Sequence, residues 1–563
     1  MRSRSRWFRT GLFGALLLGA LLAGTPQAEA HATLLATSPV DGSVVSAEPR
    51  QVTLRFDEAV TLNPQSILLL DAAGHQMKIG TVGHPAGKAD TAAADLPAGL
   101  HDGTYVVSWR VVSADTHAIS GAFQFSIGAP SPVVATISRH PSQAAPVVKE
   151  VGEGLAYLGL AATIGGAVFL GLLLPTGRPP RRARRVVWAG FGALALGTVT
   201  ALLAQYPYAT GGALTSAFSA HALRTTLSTT GGQASLARIG IIVILAAAVA
   251  VFLRGRAGAA DRPLAAEVVG GACLLALPLT WTLADHSRTG EQVWLAVPVA
   301  SVHLLAVSLW LGGLILLATC AIGADLGSER LRATAYALPR FSRMALPCFA
   351  VIVLTGLYQT WRQVGTLPAL GATEFGRLLL IKVGGVILVL VLAWQARRFV
   401  QRQLTRPALP AQAWRLMRRS LGVEAVFGVA VLSVATLMVN TAPARTSYAP
   451  PVRAEVRIPG AHSPLAGGHV EVRLTPAKQG LNVADIYLVA RDGSLVSVPD
   501  VSAQLAPTRG GTAAQQLKVS AAEPGHYVAS TVSIPYAGKW LLQLYVRTSE
   551  FDETPVLVRF RAH

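Results

Sequence analysis

A chain of 563 residues with 52% hydrophobic content, a mean hydropathy of +0.46 and only 14% charged residues is too apolar for a soluble protein and too long for one domain. Its net charge of +19 would suggest nucleic-acid binding in a soluble protein, but the arginines cluster between hydrophobic runs, where they act as topology determinants, so no nucleic-acid partner is expected. Cys273, Cys320 and Cys348 all fall inside apolar segments, which leaves histidine and carboxylate as the metal-ligating side chains expected in any exported region.

Residues 1–30 carry Arg2, Arg4, Arg6 and Arg9, an apolar run from Gly11 to Gly24, and Ala28-Glu29-Ala30, the pattern of a secretory signal with an A-x-A cleavage site. Cleavage there makes His31 the first residue of the mature chain. From His31 to Gly128 the pattern becomes short alternating strands, among them Gln51–Phe56, Ser66–Leu70, Thr104–Trp109 and Gly121–Ile127, and predicts a small exported β-sandwich over 31–128. A Pro/Ser/Ala-rich linker follows over 129–148.

The membrane region is expected over 149–442. Eight apolar stretches, near 154–175, 187–206, 239–253, 264–284, 292–317, 344–361, 378–395 and 421–441, are long enough to cross ~30 Å of hydrocarbon, the third being the shortest. The connections from odd to even spans hold nineteen arginines, from Arg178 to Arg419, against Arg224, Arg238, Arg288, Arg362 and Arg377 on the opposite side. That asymmetry puts the first domain outside a bacterial cytoplasmic (inner) membrane, and an even number of spans returns the C-terminus to the same side. Alternation resumes over 451–563, in Val470–Leu474, Ile486–Val489, His526–Ala529 and Trp540–Val546, and predicts a second exported sandwich. The fold class is therefore mixed: a polytopic α-helical membrane domain flanked by two exported β-sandwiches.

Three residues of the first domain form the candidate metal site. A terminal histidine chelates through its α-amine and its ring together, His117 supplies a second imidazole, and Asp115 a carboxylate at or near the axial position. Nitrogen and oxygen ligands in tetragonal geometry suit Cu(II), which tops the divalent affinity series. Along a strand, positions 115 and 117 would share a face. An isolated Asp-x-His more often shapes a turn; the histidine directly after a cleavage site is what favours metal. In the membrane region, His303 lies in the middle of the fifth span, and Asp285 and His286 at the outer end of the fourth, which makes them transport-path candidates. Lys382 reads as shallow enough to snorkel outward, and Glu424 lies near the inner end of the last span. Both are expected to be structural.

His31-Ala32-Thr33-Leu34 with Ser38-Pro39, Trp109-Arg110-Val111-Val112-Ser113-Ala114-Asp115-Thr116-His117 and Gly121-Ala122-Phe123-Gln124-Phe125 resemble the CopC family of exported copper-binding proteins across the whole first domain. The resemblance implies a histidine-brace Cu(II) site made by the amine and ring of His31, the ring of His117 and the carboxylate of Asp115. Met77 is the sole methionine of that domain, so the methionine-rich Cu(I) site of some members is not expected. His303 to Gly313, Arg340-Phe341-Ser342-Arg343 with Thr355-Gly356, and Phe375-Gly376-Arg377 through Lys382 resemble the CopD copper-resistance family. Pro524-Gly525-His526-Tyr527 and Ala537-Gly538-Lys539-Trp540 are similar to the YtkA-like sandwich. The domain order resembles a CopC–CopD fusion of the YcnJ type, which implies copper uptake. A copper chaperone or reductase is then a candidate partner, beside copper ions and the lipid bilayer.

No nucleotide-binding or phosphorylatable motif is present, so ATP-driven pumping is not expected. An inside-negative potential favours cation entry by ~2.3 kcal/mol per charge per 100 mV, which points to import. The alternative is extracytoplasmic copper sequestration, resistance or sensing without transport. An enzymatic role, as in copper enzymes that cleave polysaccharides oxidatively, is not expected of a domain of about one hundred residues. A bis-histidine haem is not expected with only His303 deep in a span.

Overall fold

The computed structural model describes residue 32 and residues 34–56, 58–113, 118–131, 144–174, 179–256, 264–285, 292–321, 329–404, 411–458, 465–478, 480–508, 514–534, 538–548 and 552–562. Among the described residues, the first domain contains ten strands: β1 Leu34–Ser38, β2 Val44–Val45, β3 Gln51–Phe56, β4 Val60–Thr61, β5 Ile67–Leu70, β6 Gln76–Met77, β7 Val82–Gly83, β8 Thr91–Asp95, β9 Gly103–Ser113 and β10 Ala118–Ile127. They form two sheets, one in the order β1-β3-β8-β7 and the other β2-β10-β9-β5-β6 with β4 on β9. Alternation decides which face is buried: in β3, Val52, Leu54 and Phe56 point inward while Gln51 and Arg55 stay exposed. Leu34, Leu54, Phe56, Ile67, Leu69 and Phe125 fill the space between the sheets.

Among the described residues, eight helices are long and apolar enough to cross a membrane: α1 Ala144–Val168, α2 Arg181–Thr210, α3 Thr230–Arg256, α4 Leu264–Thr282, α5 Val293–Ala321, α6 Glu329–Val364, α7 Glu374–Leu404 and α8 Ala411–Val439. α1 widens into a π turn over Phe169–Leu173. Each expected span falls on one helix, and all but α4 run further at one end or both, by one to about four turns. α1 starts at Ala144, inside the segment expected to be linker. α3 extends well before residue 239, where the apolar stretch begins, because Arg238 is buried rather than at a membrane edge. Its guanidinium lies 3.4 Å over the Trp281 ring, and its Nε and Nη2 donate to Thr280 Oγ1 at 2.9 Å and Thr280 O at 3.1 Å. A stacked, doubly bonded guanidinium is affordable at a depth where a bare one would not be.

Small residues bring the central helices close. A Cβ on Gly165 of α1 would lie 2.5 Å from Ser308 O and 2.7 Å from Gly312 Cα of α5, so these backbones meet without intervening side chains. Leu160, Ile164, Leu194, Leu277, Leu311 and Leu316 pack around that contact.

The second β region contains β11 Val452–Arg457, β12 His469–Thr475, β13 Gly480–Val489, β14 Asp500–Pro507, β15 Gln515–Leu517, β16 Ser520–Glu523, β17 His526–Ile534, β18 Gly538–Arg547 and β19 Glu553–Ala562. Its sheets run β11-β12-β13-β17-β16 and β15-β14-β18-β19. Strict alternation in β19 buries Val556 and Val558 and exposes Leu557 and Arg559.

Candidate metal centre and membrane cavity

His31, Asp115 and His117 lie outside the described residues, as does His286. The elements that flank the first three do converge. β1 begins at Leu34, opposite Phe56 at the end of β3. A few residues on, β4 pairs Val60 with Ser113, the last residue of β9. The start of β1 and the end of β9 therefore lie at one end of the sandwich.

Trp109 of β9 joins the two sheets at that end by meeting the Phe56 ring edge-on, with centroids 5.5 Å apart. Its partner on β10 is Gly121, and a Cβ there would sit 2.6 Å from Trp109 Cζ2. Only glycine lets the indole lie across the neighbouring strand. Asp41 ties β10 to the chain after β1: its Oδ1 accepts from Gln124 N at 2.9 Å, while burial pushes its carboxyl up to about 6.

A cavity of about 180 Å³ opens among α1, α4, α5, α6, α7 and α8. Its lining comes from the same end of each helix: the starts of α5 and α7, and the ends of α4, α6 and α8. Asp285, just past α4, stands at the mouth with Gln363 and Phe375. His303, ten residues into α5, lies ~15 Å down at 1.5 Å per residue. Lys382, eight residues into α7, lies ~12 Å down, and Gln359, five residues from the end of α6, ~8 Å. Trp310 and Phe349, with ring centroids 4.9 Å apart, form the deep wall. Lys382 thus faces the cavity, where the sequence suggested a snorkelling side chain. Glu424 is buried and accepts a hydrogen bond from Ser420 Oγ at 2.9 Å.

The geometry around His303 fixes its tautomer. Thr355 Oγ1 is 2.5 Å from Val351 O, a separation that requires its single hydrogen to lie between the two oxygens. His303 Nδ1, 2.8 Å from Thr355 Oγ1, must then be the donor. With Nδ1 donating, a neutral ring would carry its lone pair on Nε2, the form that ligates a metal. Among the described residues, no three His, Cys, Asp or Glu side chains gather into a metal-holding group.

The mouth is braced by interactions that sequence reading missed. Lys149 Nζ donates to Glu153 Oε1 and to Asn440 Oδ1, both at 2.7 Å, and Asn440 Nδ2 donates to Glu153 Oε2 at 2.6 Å, closing α1 onto the end of α8. The i,i+4 spacing of Lys149 and Glu153 was the available signal. Tyr157 stacks on Trp281 at 5.4 Å, and Thr282 and Ser301 hydroxyls meet at 2.7 Å, joining α4 to α1 and α5. In the second β region, His526 Nε2 lies 3.0 Å from Asp485 Oδ1 and its ring stacks 4.3 Å from Tyr487.

Residues 34–128 match the family model for the CopC domain, and residues 335–438 match that for copper resistance protein D. The copper transport protein CutJ of Bacillus subtilis (strain 168) is 25% identical over 571 residues, covering 98% of this chain and 99% of that protein. Copper resistance protein C of Xanthomonas campestris pv. juglandis is 35% identical over 127 residues, covering 21% of this chain and 97% of its own length. The crystal structure of CopC from Methylosinus trichosporium OB3b is 32% identical, covers 19% of this chain and all of that one, and superposes with a TM-score of 0.16.

Proposed function

Because one polypeptide carries both a CopC-model and a CopD-model match, we propose that it captures Cu(II) outside the cytoplasmic membrane and imports copper. The capture site is the α-amine and ring of His31 with His117 and Asp115, in a first domain spanning 31–128 that follows a signal peptide over 1–30. The membrane domain, which begins with α1 at Ala144 and runs to 442, follows a linker that starts at 129. The region 451–563 is a YtkA-like exported sandwich.

The observation that carries this reading is the cavity, which has Asp285 at its mouth and His303 on its wall. It starts at the end of the bundle where the connections hold few arginines, the side the charge asymmetry places outside. A carboxylate at the mouth draws a cation in. A lone imidazole below it binds well enough to admit copper and weakly enough to release it. The inside-negative potential then drives the ion onward, by ~2.3 kcal/mol per charge per 100 mV, with no need of ATP. A copper chaperone or reductase would act on either side of this step. The protein is a carrier and not a catalyst in this account.

Copper accumulation in cells expressing the wild type, His117→Ala and His303→Ala tests the proposal. Both variants are expected to accumulate less copper. Normal accumulation in His303→Ala, with Cu(II) binding intact, would instead favour sequestration or sensing outside the membrane, with the helices as an anchor.

A further inference from the structure

Two hydrogen-bond donors in the membrane cavity are unmatched by acceptors. Lys382 is partly buried ~12 Å below the start of the cavity, and among the described residues no carboxylate lies in ion-pairing range of its ammonium group. Gln359, on the facing helix one turn beyond Thr355, has its Nε2 buried without an acceptor. A buried unpaired donor costs about 1–3 kcal/mol, and more when charged, so two of them facing one cavity indicate a ligand that supplies acceptors. Trp310, Phe349, Val386 and Val431 make much of the wall apolar, and the polar lining residues Tyr157, Thr282, Gln363 and Thr436 leave Gln359 Nε2 without a partner. The one carboxylate of the lining, Asp285, is at the mouth.

We propose that Lys382 and Gln359 bind a small monovalent anion, a halide or a simple carboxylate, which enters the cavity with copper as its co-ligand. The division of charge along the cavity fits such a pair. Asp285 favours the cation at the entrance, His303 Nε2 takes one coordination position of the metal, and Lys382 balances the anion at similar depth. A bare copper ion beside Lys382 would meet like-charge repulsion in a low-dielectric setting, whereas a copper–anion complex carries less net charge and leaves both donors satisfied. The copper reading supplies the anion's role, but anion binding itself rests on the two donors alone.

The test is quenching of tryptophan fluorescence by iodide in the purified full-length protein in detergent, since Trp281 and Trp310 both line the cavity. Tryptophans elsewhere contribute quenching that is linear in iodide. Wild type is expected to show an added saturable component, displaced by chloride and absent from Lys382→Met. Lys382→Arg retains it, and Gln359→Leu, the second probe should Lys382→Met fail to fold, weakens its apparent affinity at least about tenfold, a loss of about 1.4 kcal/mol. Quenching that is linear and identical in wild type, Lys382→Met and Gln359→Leu overturns the proposal. His303→Ala separates the two readings: the saturable component is expected to persist in it, whereas its copper uptake bears on the copper path alone.

Discussion

Gly165→Ala is a single methyl added where α1 meets α5. Its Cβ would lie 2.5 Å from Ser308 O, 2.7 Å from Gly312 Cα and 2.7 Å from Gly313 N. All three are backbone atoms, so no rotamer change relieves the contact. Non-bonded carbons settle at ~3.5–4.0 Å, which requires α1 and α5 to part by roughly 1 Å. Overpacking of this kind costs about 1–3 kcal/mol, and at ~2–4 °C per kcal/mol the expected fall in melting temperature is about 2–12 °C. Because His303 lies five residues before Ser308 on α5, copper uptake should fall with stability. Gly192→Ala on α2 is the control: nothing lies within 4 Å of the added Cβ, and helix propensity favours alanine by ~1 kcal/mol. Thermal denaturation of the purified protein, followed by tryptophan fluorescence, compares the two. Equal melting of Gly165→Ala and wild type, or greater damage from Gly192→Ala, would refute the packing account.

Thr355→Val removes the acceptor that sets the His303 tautomer and should lower copper uptake 10–100-fold, the usual effect of losing a ligand's supporting hydrogen bond, while Thr355→Ser keeps most of it. Glu153→Ala leaves the Lys149 ammonium buried without its carboxylate and should cost about 3–5 kcal/mol in thermal stability, whereas the double change Lys149→Met with Glu153→Met recovers much of it. Asp41 binds its proton more tightly when folded than when unfolded, its carboxyl rising from 3.8 to about 6. Its contribution to stability is therefore greatest below pH 3.8 and is lost as pH rises to about 6; Asp41→Asn should remove that slope from the difference in melting temperature between wild type and variant.

The sandwich strands and the eight spans were legible because each rests on a local period. Gln51–Phe56 alternates and forms β3 over those same residues, and β9 and β10 extend the expected strands by a few residues where pairing continues. Polar residues within helices were harder to read, since their meaning depends on a partner far away in sequence. Arg238 looked like the flank of a short span and is instead bound to Trp281 and Thr280. Lys149 and Glu153 are neighbours at i,i+4, but Asn440, nearly three hundred residues on, completes their network. His303 stood out as a lone ionisable group at mid-span, but its supporting Thr355 and the donors Lys382 and Gln359 required the packing of α5, α6 and α7 to be seen together.

The central claim is that a terminal histidine captures copper, and it is tested most directly by Cu(II) titration of the mature protein against a form bearing one extra alanine before His31. The α-amine then belongs to the added residue and can no longer chelate with the His31 ring. A loss of affinity of at least about tenfold is expected, since one ligand of a chelating pair is removed. Equal affinity in the two forms would show that copper is held elsewhere.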